Sequence, residues 1–194
     1  MKDSCSPFER LLGPGFEQLP PPVRRLHSLR EPLTAAGRVE ITAASGFFAW
    51  LVRRLAGLPR PGRDIDVRVT FEPRKDGDEH WDRKFADRGY ASSISAGSGR
   101  DQGFLIEQLG PFDLCFQLAP SREGLAWSLV GWRFLRIPLP GWSLPQIKCL
   151  ESADGERYTF DIDVQFPAIG WLMHYRGWLL PQDDITRPSP PRSA

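Results

Sequence analysis

From Ile65 onward, apolar and polar side chains alternate along much of the chain. Every second residue from Tyr158 to Phe166 is apolar, and polar residues lie between them. A period of two is typical of a β-strand with one buried face. The 18 glycines and 19 prolines interrupt the chain at short intervals, and no long helix is predicted in this region. We therefore predict antiparallel β-structure from Ile65 to Leu180, because parallel strands need long crossover connections.

The turn near Asp76-Gly77 predicts the first hairpin and its register. Residues of like polarity can face the same side of the sheet in one register only, since a slip by one residue reverses every side chain. The predicted pairs are Phe71 with Trp81, Val69 with Arg83, and Val67 with Phe85. This register places the charged Arg83 on the apolar face.

Two further hairpins are predicted in the same way. The second turns at Gly110-Pro111, and its parity places Glu107 on the apolar face. The third returns through the four residues 167–170, so that Phe166 pairs with Trp171. Its cross-strand pairs of opposite charge are Asp163 with His174 and Asp161 with Arg176.

Helical spacing is confined to the first 58 residues. Two short helices are predicted between residues 7 and 30, joined by Gly13-Pro14-Gly15. A third is predicted from Ser45 to Gly57, with an apolar face formed by Phe47, Phe48, Leu51, Val52, Leu55 and Leu58. The predicted fold is α+β but mainly β: a curved antiparallel sheet or open barrel (33–180) wrapped around this third helix. We expect one domain over residues 1–180 and a disordered tail over 181–194.

Composition excludes several classes of function. Because 25 basic and 24 acidic residues nearly cancel, the basic surface that nucleic acids require is not expected. The N-terminus has no apolar signal core and no segment reaches the length of a membrane span, so we expect a cytoplasmic protein. The three cysteines and three histidines lack the spacing of disulfide or metal motifs. We expect no metal and no cofactor.

Arg83 and Glu107 are the main candidate site residues, because unpaired charges on an apolar face are costly. They could form a structural ion pair, or the Arg83 head could reach the barrel rim while its stem packs on its neighbours. Alternatively, Arg83 binds the acidic or carbonyl end of an amphiphile. The tail of that ligand would then lie among Trp81, Phe85, Leu105, Phe116 and Tyr175.

Asp161, Asp163, His174 and Arg176 form a second candidate group. A His beside a carboxylate can act as a general base. The simpler interpretation is a ladder of solvated charges on the outer face of a hairpin, which contributes little.

Several short motifs resemble a known family, the bacterial domain of unknown function 4166, from about Phe8 to Leu180. They are Leu12-Gly13, Phe16, Leu19-Pro20, Leu26-His27, Gly77, Trp81-x-Arg83-x-Phe85, Glu107, Gly110-Pro111, Ile137-Pro138-Leu139-Pro140, Pro167-x-x-Gly170 and Tyr175-Arg176-Gly177-Trp178-Leu179. The resemblance implies a domain that occurs alone or behind a Rossmann-type reductase resembling saccharopine dehydrogenase. Such a reductase is thus an implied partner. The glycine spacing of dinucleotide binding is missing at Gly13 and Gly97.

Three hypotheses for the function follow. The first is a non-catalytic module that binds an apolar or amphiphilic small molecule and works with a partner reductase. The second is an isomerase, cyclase or hydrolase that uses Glu107 or the pair Asp163 and His174 as acid and base. The third is a structural or interaction domain with a filled core. Tryptophans in the last third and Arg53, Arg54, Arg60 and Arg63 could also meet a membrane, but we expect no membrane docking because amphipathic helices of this length usually face a core.

Overall fold

The described chain contains three N-terminal helical segments, two further 3-10 turns (Gly99–Asp101 and Gly141–Ser143) and eleven β-strands. The structure is a computed structural model, and it describes residues 5–47, 49–50, 59–86, 88–167 and 169–182. The helical segments are α1 (Pro7–Leu12), a 3-10 segment (Gly13–Gln18) and α2 (Pro21–His27). The strands are β1 (Leu33–Ala43), β2 (Gly62–Pro73), β3 (Glu79–Phe85), β4 (Arg88–Ala96), β5 (Leu105–Leu109), β6 (Phe112–Pro120), β7 (Leu125–Phe134), β8 (Ile137–Pro138), β9 (Gln146–Asp154), β10 (Arg157–Phe166) and β11 (Gly170–Pro181).

The N-terminal helices form where the sequence predicts them. Ser6 caps α1, since its hydroxyl accepts the Glu9 N–H at 3.1 Å and the Glu9 carboxylate accepts the Ser6 N–H at 2.7 Å. Gly13, at a φ of 49°, ends this helix, and Pro21 begins α2 in the first turn, where proline is tolerated. Within the described ranges, no helix has the length and hydropathy needed to cross a membrane.

The strands close into a barrel. Ten of them form a ring in the order β6, β5, β4, β3, β2, β1, β11, β10, β9 and β7, and pairing of β6 with β7 completes it. The two-residue β8 attaches to β7. Every strand pair is antiparallel, which confirms the mainly β prediction. The open barrel is wrong, because nine residue pairs between β6 and β7 leave no unpaired edge there.

The predicted registers are largely confirmed. All three pairs of the β2–β3 hairpin occur as predicted, and Glu107 pairs with Leu114 on the inner face of β5 and β6. In the third hairpin Asp163 lies opposite His174 and Asp161 opposite Arg176.

The partner of Phe166 in the third hairpin differs from the prediction. Phe166 pairs with Gly170 rather than Trp171, so the turn is one residue shorter than the sequence suggested. A register shift between Val164 and Gln165 leaves Leu172 as an extra residue and restores the predicted pairing beyond it. Leu172 and Met173 are consequently both fully buried, although they are neighbours in a strand.

The α1 and α2 helices close one end of the barrel, which we call the helix end. The Phe8 ring stacks on His27, with centroids 3.8 Å apart, and both rings pack near Trp81 and Trp127. The connections 74–78, 97–104, 121–124 and 155–156 also lie at this end. The described residues of the other connections (44–47, 49–50, 59–61, 86, 110–111, 135–145, 167 and 169) lie at the opposite end, which we call the far end.

The prediction that a helix from Ser45 fills the sheet is not confirmed. Residues 47, 49 and 50 are helical, but the Phe47 side chain is 66% exposed instead of facing a core. Ala49 is buried in its place. The predicted contacts of Phe48, Leu51, Val52, Leu55 and Leu58 lie outside the described residues, as does nearly all of the predicted tail.

Candidate ligand-binding site

The barrel encloses a cavity of about 380 Å³. Inward-facing side chains from nine strands line it: β2 to β7 and β9 to β11. Leu114, Ile162 and Tyr175 point inward yet remain only half-buried, because they face this space and not opposing side chains. The barrel interior is therefore hollow between its wall and the helices.

Glycines thin the wall where β1 meets β11. Gly37 and Gly177 occupy inward positions of these two strands. A Cβ atom at Gly177 would lie 2.8 Å from Cζ of Phe160 and would also meet the Arg38 carbonyl oxygen. The missing side chains let the two backbones approach closely and let the Phe160 ring pack across Gly177.

Arg83 and Glu107 meet on the cavity wall, as the sequence predicts. An Arg83 guanidinium nitrogen lies 3.0 Å from Glu107 Oε1, and each side chain is 13% exposed. The Ser92 hydroxyl accepts a second guanidinium N–H at 2.7 Å and donates to Glu107 Oε1 at 2.8 Å. The guanidinium also lies over the rings of Trp81 and Tyr90, 4.8 and 5.2 Å from their centroids. The result is a compact group with no net charge.

The charge state of this group is fixed by its surroundings. Burial by itself lowers the pKa of Arg83, but the negative charge of Glu107, followed by Tyr90 and Tyr175, raises it further than burial lowers it. Arg83 therefore stays protonated within the barrel. Its guanidinium has five N–H donors, and the bonds to Ser92 and Glu107 use two of them.

The phenols and the thiol on the wall are held neutral. Burial, as the largest cause, raises the pKa of the phenols of Tyr90, Tyr158 and Tyr175 and of the Cys149 thiol. The Tyr90 and Tyr175 hydroxyls also hydrogen-bond to each other. At neutral pH these groups offer hydroxyl and thiol dipoles but no charge.

At the floor of the cavity, a second buried pair, which the sequence pattern did not predict, joins the lining residue Glu151 to α2. His27 Nε2 lies 2.6 Å from Glu151 Oε2, with the two side chains 0% and 4% exposed. The Tyr158 hydroxyl also bonds to Glu151. Glu151 has the same parity as Ile147 and Cys149 on β9. That alternation was the sequence signal that could have placed Glu151 on the inner face. Nothing local to His27 in α2 indicated a partner 124 residues away.

Two indole N–H groups are unpaired beside the cavity. Nε1 of Trp127 and Nε1 of Trp132 are buried and have no hydrogen-bond partner among the described residues. Both residues line the cavity, and Trp127 is 4% exposed. An indole nitrogen can only donate, and both nitrogens lie beneath the cavity surface with no described acceptor in reach.

All five predicted ligand-contact residues are brought together on this wall. Arg83, Glu107, Trp81, Phe85 and Tyr175 line the cavity, and their role toward a ligand stays a prediction. Leu105 is fully buried and does not line the space, whereas Phe116 does.

The second candidate group lies elsewhere, on the outer face of β10 and β11. His174 Nε2 bonds Asp161 Oδ1 at 2.8 Å and not its cross-strand partner Asp163. Arg176 bonds Glu40 on β1 at 3.1 Å. In the described part of the chain, no three His, Cys, Asp or Glu side chains converge on a metal-sized site.

Comparison with known proteins yields a family. A family model described as "Domain of unknown function (DUF4166)" matches residues 19–179, well over half of the chain. The match confirms the resemblance carried by the sequence motifs. No curated protein and no solved structure matches the chain.

Proposed function

Because the chain belongs to the domain of unknown function 4166 family, whose description states no activity, we propose a function from the barrel interior. The protein is a non-catalytic module that binds one apolar or amphiphilic small molecule inside the barrel. The observation that carries this proposal is the cavity of about 380 Å³, which falls within the usual range of about 300–1,000 Å³ for ligand pockets. At about 30 Å³ for a water-sized group, it has room for about a dozen non-hydrogen atoms.

The polar groups on the wall favour a ligand without net charge. Arg83 is already neutralised by Glu107, so a carboxylate ligand would have to compete with an existing ion pair. The remaining guanidinium N–H groups instead suit a carbonyl, ester or hydroxyl oxygen. Apolar side chains such as Leu114, Phe116 and Ile162 would contact the rest of the ligand.

The same wall supports binding over acid and base catalysis. A general acid or base works best with a pKa near the operating pH, whereas burial moves the pKa of Cys149 and Tyr175 farther above neutrality. Glu107 is held by Arg83, and the pair Asp163 and His174 lies outside the cavity. A structural domain with a filled core would leave no space of this size. An associated reductase would use such a module to receive or deliver its substrate.

Filling the cavity is the direct test. Leu114→Trp adds a large ring to an inward, half-buried position, and Gln117→Trp adds the same ring to the outer face of the same strand. Binding of the small uncharged fluorescent dye 1-naphthol, which fits this volume, should be lost in Leu114→Trp and retained in Gln117→Trp. Native mass spectrometry and solvent extraction of the wild-type protein should identify any co-purified molecule.

The stability of the two variants independently tests whether the barrel is hollow. In a hollow barrel the Leu114→Trp ring occupies empty space, so its melting temperature should stay close to that of Gln117→Trp. In a filled core the same change would cost about 1–3 kcal/mol through overpacking. Overpacking combined with no dye binding by the wild type would refute the proposal.

A further inference from the structure

Exposed large apolar side chains concentrate at the far end of the barrel. Trp142 is 81% exposed and Ile137 is 66% exposed, on the connection between β7 and β9. Together with four others they form what we call the apolar rim: Phe47, Trp50, Phe134, Leu135, Ile137 and Trp142. None of the exposed large apolar residues in the described ranges lies at the helix end, and two others, Val130 and Leu150, lie on the outer wall.

The apolar rim adjoins the cavity. The Phe134 ring packs on Phe112 with centroids 5.3 Å apart, and Phe112 stacks on Trp132 at 5.9 Å. Phe112 and Trp132 both line the cavity. Trp171 is 39% exposed at the start of β11. In the strand order β7, β9, β10, β11 and β1, it lies between the rim residues that follow β7 and those that follow β1. The apolar surface thus runs from the cavity wall onto the outside of the barrel.

The two ends of the barrel also differ in the charge of their connections. The described residues of the connections at the far end include Arg60 and Arg136 and no acidic residue. The four connections at the helix end contain four basic and five acidic residues. The far end therefore combines apolar side chains with an excess of arginine.

We propose that the apolar rim docks on the surface of a lipid bilayer with anionic head groups. Tryptophan and aliphatic side chains beside arginines suit the boundary between head groups and acyl chains. Docking in this orientation places the cavity next to the bilayer. An apolar ligand then passes between the bilayer and the cavity without crossing water. This consequence rests on the proposed function. The expectation of no membrane docking rested on a helix from Ser45 whose apolar face meets the core, whereas Phe47 and Trp50 are exposed.

Vesicle flotation tests the proposal with matched variants of the full chain. Wild-type protein should bind vesicles of phosphatidylcholine with added phosphatidylglycerol, and bind more weakly to phosphatidylcholine alone or at high salt. The rim variant Ile137→Ser/Trp142→Ser should lose at least about tenfold in partitioning, and Arg136→Glu roughly tenfold on the anionic vesicles. The wall variant Val130→Ser/Leu150→Ser removes two exposed apolar side chains away from the rim and should bind like the wild type.

Each other outcome overturns the docking proposal. Equal loss in the wall variant, or no flotation of the wild type, excludes the rim as a bilayer surface. If light scattering shows that the rim variant turns a dimer into a monomer while the wild type fails to float, a second copy of the chain covers the rim. Dye binding in solution separates the two proposals: the rim variant should keep it, and Leu114→Trp should lose it while still floating.

Discussion

Substitution of Arg83 by Met removes the charge that compensates Glu107 inside the barrel. The two side chains are 3.0 Å apart and each 13% exposed, so Glu107 would remain buried without an opposite charge. Breaking a buried pair from one side costs about 3–5 kcal/mol. Ser92 still donates to Glu107, so we expect the lower part of that range, about 3 kcal/mol. That is a large share of the 5–15 kcal/mol that stabilises a typical domain.

The loss in Arg83→Met should depend on pH with a defined sign. The stranded Glu107 carboxyl favours its protonated form in the folded state, because a neutral acid is cheaper to bury. The folded variant then binds more protons than its unfolded chain, so its stability falls as the pH rises. The difference from the wild type should therefore be largest at alkaline pH and shrink in acid.

Urea unfolding followed by tryptophan fluorescence measures the effect, with two control variants. Arg83→Met/Glu107→Leu removes both charges and should recover much of the loss. Lys84→Met breaks an exposed pair on the same strand, between Lys84 and Asp82 at 3.4 Å, and should cost less than about 1 kcal/mol. A loss in Arg83→Met no larger than that in Lys84→Met, or no recovery in the double variant, would refute the reasoning.

Two further predictions concern the barrel wall. Gly177→Ala should destabilise the protein by about 1–3 kcal/mol in the same unfolding assay, because the new Cβ meets Phe160 and a backbone carbonyl. The control Gly131→Ala, whose nearest contact lies at 3.6 Å, should change the stability little. Equal effects of the two substitutions would contradict the packing at Gly177. Burial raises the pKa values of Cys149 and Tyr175, so the unfolded chain releases these protons at a lower pH than the folded protein does. The free energy of unfolding should therefore be full below about pH 8.5 and fall above it. A flat profile to about pH 11 would contradict the burial of these groups.

Local alternation was sufficient to place the two charges of the site. In the β2–β3 hairpin a single register satisfies both the turn and the apolar face, and it aims Arg83 inward. The same parity argument places Glu107 beside it from a different hairpin. Strand, register and facing direction follow from neighbours a few residues apart, so they could be predicted without the tertiary structure.

The turn after Phe166 shows where such reasoning loses accuracy. A one-residue difference in the turn is offset by the bulge at Leu172, and the charge pairs beyond it stay in place. Pairing across strands also does not fix side-chain bonds, since His174 bonds Asp161 instead of the residue directly opposite it. Long polar side chains reach diagonal neighbours as easily as direct ones.

The sequence by itself determined that the region from Ile65 is antiparallel, most of the register of three hairpins, and which charges face inward. Only the tertiary structure decided that the sheet closes through β6 and β7, that its interior is hollow, and that His27 meets Glu151 at the floor. It also gathered Trp142 and Phe47 at one end of the barrel. The physical reason is that a period of two reports the face on which a side chain lies, whereas curvature, closure and the volume left inside depend on contacts between segments far apart in the chain.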